Sequence, residues 1–76
     1  MKDASVSNPN GLFDVLIREG DLKNDAALAK ALGVHSPTIS NMRALRLRIG
    51  ATLIIKIMEE FDMPLARIRL LLSTQN

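Results

Sequence analysis

Helix start and stop signals cut this chain into short pieces, and that punctuation constrains the fold more than any other feature. Asn8-Pro9 reads as a cap followed by proline at the first helical position. Asn24 reads as a second cap, and Ser36-Pro37 as a further cap plus first-position proline. A fourth segment begins at Gly50, and Met63-Pro64 restarts the chain for the last time. Isolated helices this short are marginal in water, so each must bury an apolar face against the others.

The apolar residues recur at the spacing that this requires. Leu12, Phe13, Leu16 and Ile17 form one face of a helix over about 9–19, with Gly20 as its stop. Leu28 and Leu32 line a second helix that Gly33 ends. A third runs from Ser36 to about Arg43 with Ile39 and Met42 inward. Leu45 to Ile49 alternates like a strand, but a lone strand has no partner, so the segment reads as an extended loop. Leu53, Ile54, Ile57, Met58 and Phe61 fit a fourth helix, although their β-branched run also fits a strand. Leu65, Ile68 and Leu72 face inward in the last helix. The expectation is an all-α fold of five short helices. Residues 1–8 are expected to be a disordered N-terminal segment and 9–73 to form one domain.

Composition removes several functions. The 76 residues include no cysteine and one histidine, His35, so a disulfide framework and a zinc site are not expected. Two Phe, no Trp and no Tyr leave too few aromatic platforms for stacking single-stranded bases. No apolar run is long enough to span a bilayer, and Met-Lys-Asp-Ala-Ser does not open a signal peptide, so the expected location is cytoplasmic. Asp14, Glu19, Glu59 and Glu60 read as solvated helix faces. No nucleophile–base set, phosphate-cradling loop or metal cluster accompanies them, so neither an enzyme nor a cofactor is expected. Charge distribution is more telling than the net charge of +2. Every acidic residue lies before residue 26 or after 58, while the stretch between carries Lys30, Arg43, Arg46, Arg48 and Lys56. Such a block is a candidate footprint for a polyanion.

Within this block lie the requirements of two helices meeting at a steep angle. Ala29 is small enough for the crossing, Gly33 supplies positive φ in the turn, and Ile39 anchors the second helix to the core. The words Leu28-Ala29, Leu32-Gly33-Val34 and Thr38-Ile39-Ser40, at these offsets and amid five helices, resemble the Cro and lambda-repressor-like helix-turn-helix family. The resemblance covers roughly residues 12–72, with the helix-turn-helix at about 25–43. It implies a DNA-binding domain and a transcriptional regulator of bacterial or phage type. The chain departs from the family pattern at three positions. Asp25 stands where Gln is frequent, Arg43 where Glu is common, and Leu45 where Gly often follows.

With Ile39 inward, Pro37, Ser40, Asn41 and Ala44 face outward, and His35 and Ser36 sit at the exposed helix start. The expected base contacts in a major groove are Ser36, Pro37, Ser40 and Asn41, whose carboxamide suits adenine. The expected contacts to the DNA backbone are Asn24, His35, Thr38, Arg43, Arg46 and Arg48, the last two lying where the family often grips phosphates. Plainer readings stand beside these. Asn41 can be merely solvated, His35 can fill the turn, and Arg46 and Arg48 can be ordinary surface charge. The resemblance implies a homodimer, formed on DNA or through the last helix. The alternative function is a protein-interaction module on the same fold, such as an antitoxin or a phage accessory factor.

Overall fold

The computed structural model describes residues 8–72, so the expectation of disorder for residues 1–7 lies outside the described residues. Five helices follow one another: α1 Asn10–Glu19, α2 Asp25–Leu32, α3 Ser36–Arg43, α4 Ala51–Phe61 and α5 Leu65–Leu72. No strand occurs among the described residues. The run around Leu53–Ile57 is helical because Leu53 and Ile57, four apart, are both buried on one side. α2 is central and packs against α1, α3 and α4, while α5 closes the bundle against α1 and α4.

Helix starts follow local chemistry, with two shifts of one residue. Asn8 is described, and its Oδ1 accepts from the Asn10 backbone N–H at 2.9 Å and from Asn10 Nδ2 at 2.8 Å. The expectation of disorder therefore does not hold for Asn8, which is tied to the first residue of α1, while Pro9, expected as the first helical residue, holds the cap position in place of Asn8. Asn24 Oδ1 accepts from Ala27 N at 2.9 Å, the usual N-cap bond. Ser36 is not the cap of α3. His35 holds the cap position with extended backbone and no side-chain bond, and Ser36-Pro37 form the first two helical residues. Neither of the first two N–H groups of a helix has an intrahelical acceptor, so proline fits either position.

α1, α2 and α3 end in one and the same backbone motif. A left-handed residue turns the chain, its N–H bonds back to one carbonyl, and the next N–H reaches a carbonyl one residue earlier. In α1, Asp21 N donates to Arg18 O at 3.2 Å and Leu22 N to Ile17 O at 2.9 Å. In α2, Gly33 N donates to Lys30 O at 3.2 Å and Val34 N to Ala29 O at 2.9 Å. In α3, Leu45 N donates to Met42 O at 3.1 Å and Arg46 N to Asn41 O at 2.8 Å. The left-handed residues are Asp21, Gly33 and Leu45, with φ of 54°, 72° and 63°. Gly20 stands at the C-cap of α1, as expected of a stop, but its φ of −87° shows that it is not itself the left-handed residue. Its lack of a side chain serves packing instead: an added Cβ would lie 3.0 Å from both Leu16 O and the Phe61 ring.

The core comprises Leu12, Phe13 and Leu16 of α1, Leu28, Ala29 and Leu32 of α2, Ile39 and Met42 of α3, Leu53 and Ile57 of α4, Met63, and Ile68 of α5. Full burial of each large apolar side chain stabilises the fold by about 1.5–3 kcal/mol. Met42 and Met63 are buried and Met58 packs at the edge, in keeping with a filling role. Leu65, expected inward, is exposed at the first position of α5, and Leu72 is half-buried. Arg67 fixes α5 to α1 by donating Nη1 to Glu19 Oε1 at 3.1 Å and Nη2 to Glu19 Oε2. The hydrogen bond from Arg67 holds the Glu19 carboxyl below the ordinary carboxylate range.

Candidate nucleic-acid interface

The α2–turn–α3 unit fixes the geometry of this surface. Ala29 is 1% exposed and Ile39 fully buried, so the two helices meet closely and α3 keeps one side inward. The remaining side of α3 presents Ser36, Pro37, Ser40 and Ala44 to solvent. Asn41 and Thr38 are half-buried on its flanks, and His35 is exposed at the helix start. All of these groups are small or hydrogen-bonding, and none is acidic. The loop that follows carries Arg46 and Arg48, both exposed and alternating with the exposed Leu45 and Leu47. On the other flank an added Cβ at Gly33 would lie 3.4 Å from Lys56 Nζ, so this ammonium rests beside the C-terminal end of α2. A cation there complements the helix dipole. Asn24 is exposed, and its Oδ1 accepts the capping bond, which leaves its amide donors unused by the cap.

Arg43 departs from the expected surface. Its guanidinium turns into the fold and bridges α1, α2 and α3. Nε donates to Asp25 Oδ2 at 2.8 Å and Nη2 to Asp25 Oδ1 at 3.0 Å, a two-point fork. Nη2 also reaches Asp14 Oδ1 at 2.9 Å, and Nη1 reaches Asn10 Oδ1 at 2.8 Å. Asn10 returns a bond from Nδ2 to the Arg43 carbonyl at 3.0 Å. The guanidinium carbon stands 5.5 Å from the centre of the Phe13 ring. Burial alone lowers the pKa of Arg43, but the bonds to Asp25 and Asp14 outweigh it and leave the pKa raised. A cation held by two carboxylates has little charge left to offer a phosphate. Asp25 and Arg43, two of the three departures from the family pattern, are therefore partners of each other.

Of the other expected contacts, Ser36, Pro37 and Ser40 are exposed on α3, Asn41 is half-buried on it, and Arg46 and Arg48 are exposed in the loop that follows. Arg46 Nε donates to Asn41 Oδ1 at 3.3 Å, linking a helix residue to a loop residue that the sequence reading treats separately. Lys56 at the turn is the other basic group whose place is not apparent from the order of residues. Among the described residues no helix is long and apolar enough to cross a membrane, and no group of His, Asp or Glu could hold a metal ion. No protein-family model, curated protein or solved structure matches the chain.

Proposed function

We propose that this protein binds double-stranded DNA in a sequence-specific manner as a lambda-repressor-like regulator, with α2 and α3 as the helix-turn-helix and α3 in the major groove. One observation carries the reading. A helix with an acid-free, hydrogen-bonding outer face is locked at a close crossing by Ala29 and the left-handed Gly33, and a loop with two exposed arginines follows it. That is the division of labour such recognition needs, in which side chains on one helix read base edges and flanking cations position it on phosphates. Ser36, Pro37, Ser40 and Asn41 are the base-reading set. Arg46, Arg48 and Lys56 supply backbone charge, with Asn24, His35 and Thr38 as hydrogen-bonding neighbours. Arg43 is reassigned to holding α3 in place.

Selection of bound sites from random duplex DNA with the purified protein tests this reading. An enriched motif is expected, and its symmetry reports whether two copies bind together. A second reading, a protein-interaction module, is favoured by the exposure of Leu45, Leu47 and Ile55, at 56%, 46% and 52%. Recovery of no motif at low salt would reject the DNA reading in its favour.

A further inference from the structure

We propose that Arg46 sets the base preference of Asn41, so that the two together read guanine rather than adenine. This rests on the DNA-binding reading above. A guanidinium has donors and no acceptor. The bond from Arg46 Nε at 3.3 Å therefore draws the oxygen of the Asn41 carboxamide toward Arg46 and leaves its NH2 group outward.

The backbone holds the pair together. Asn41 O accepts from Arg46 N at 2.8 Å and from Leu47 N at 3.3 Å, so the closure of α3 folds the loop directly back onto Asn41. The side-chain bond spans five positions of a segment already turned by Leu45. Asn41 is half-buried, which narrows its choice of rotamer, whereas Arg46 is exposed. Arg43, the other arginine nearby, is engaged with Asp25 and Asp14 and does not compete for the oxygen.

The consequence follows from the edges of the bases. Adenine presents N7 as an acceptor and its amino group as a donor, so a free Asn pairs with it through both amide atoms. In this protein the amide oxygen faces a cation, and an adenine amino group brought to it would meet the Arg46 charge. Guanine presents two acceptors, N7 and O6. The outward NH2 of Asn41 and the remaining N–H groups of Arg46 both donate, and together they match that edge. Arg46 thus both orients Asn41 and donates to the same base edge, in addition to any charge it brings to the backbone.

The test is parallel selection from random duplex DNA with the wild type, Asn41→Ala, Arg46→Ala and Arg46→Lys, followed by binding to two duplexes that differ only by G or A at the position Asn41 controls. The wild type is expected to enrich guanine at one position, and Asn41→Ala to erase that preference. Arg46→Ala frees the amide oxygen and is expected to move the G:A ratio about tenfold toward adenine, the size of one good paired contact. Arg46→Lys keeps the charge but not the planar fork, and is expected to move the ratio the same way with little loss of non-specific affinity. Thermal melts of the variants confirm folding, which loss of the exposed Arg46 side chain should hardly affect and which is checked directly for the half-buried Asn41. A motif with adenine at the Asn41-dependent position overturns the pairing and leaves DNA binding standing. So does a G:A ratio unchanged in both Arg46 variants, because a phosphate contact alone weakens all sites equally. Absence of any motif with the wild type overturns the DNA reading, and this inference with it.

Discussion

Replacing Arg43 by methionine should destabilise the fold by about 2 kcal/mol, although the residue belongs to a charge block that looks solvent-facing. The magnitude follows from its surroundings. Methionine keeps the stem, so the loss is mainly that of the guanidinium. The fork to Asp25 is charge-assisted, and such bonds contribute about 1.5–3 kcal/mol when shielded. Asp14 is 67% exposed on its side chain, so its bond adds only about 0–1 kcal/mol. The contact over Phe13 adds about 0.5–1 kcal/mol. Against these stands the desolvation of Arg43, whose side chain is 23% exposed, which brings the net to the low end of the total. In a domain of this size 2 kcal/mol corresponds to about 8–16 °C in Tm. Urea and thermal melts of Arg43→Met, Asp25→Asn and the double variant would give both the loss and a coupling of about 1 kcal/mol between the two residues. Raising the salt should remove the Asp14 share and leave most of the rest. A single variant that melts within about 0.5 kcal/mol of the wild type, or a coupling of zero, would refute the bridging role. DNA binding supplies an independent check, since Arg43→Met should leave the dependence of affinity on salt unchanged if this cation touches no phosphate.

The remaining expectations concern backbone positions, one crossing and the charged edge. Gly20→Ala should cost about 1–3 kcal/mol by forcing apart Leu16 O and the Phe61 ring, measured by urea melt; equal stability would mean that the approach is not tight. Leu45→Gly should be neutral or stabilising by up to about 1 kcal/mol, because a left-handed leucine costs about 1–2 kcal/mol and glycine loses part of that gain to entropy. Ala29→Leu should overpack the crossing of α2 and α3 and cost about 1–3 kcal/mol, and an unchanged Tm would contradict that geometry. If Arg46, Arg48 and Lys56 each neutralise one phosphate, log K should fall with log salt at a slope of about −2.7 per protomer, and Arg48→Ala should flatten it by about one.

Much of the fold is legible in the sequence because helix starts are chemically local. Asn24 caps with its own side chain, and Gly33 is the residue that a left-handed turn favours most. Ser36-Pro37 marks a helix start without saying which residue is the cap, since proline is accepted at either of the first two positions. Gly20 marks the end of α1, but glycine serves a second end there as well. Its use as room for the Phe61 ring depends on a helix far along the chain, which no local pattern contains. The left-handed residues Asp21 and Leu45 are missed for the converse reason: aspartate adopts that conformation only occasionally and leucine rarely. Arg43 shows the limit of reasoning from charge runs. Its neighbours in sequence are all basic or neutral, but its partners Asn10, Asp14 and Asp25 lie 33, 29 and 18 positions away. The outward set Ser36, Pro37 and Ser40 can be found from helix periodicity once Ile39 is placed inward. The tie between Arg46 and Asn41 cannot, because it depends on how α3 closes.

That shared closure also shapes the order in which the chain folds. Each of the motifs ending α1, α2 and α3 joins carbonyls and N–H groups within a few residues, so little loop entropy opposes it and it can form early in a folding event. The bridge at Arg43 joins parts of the chain up to 33 residues apart and can close only once α1, α2 and α3 have met. Changes at Gly33 should therefore act on the folding rate, whereas changes at Arg43 should act on the lifetime of the native state, by steepening escape rather than slowing entry. The surface of α3 would then be held by a late clasp laid over early turns, with α1 and α2, rather than α3 itself, setting the residence time of the folded α3.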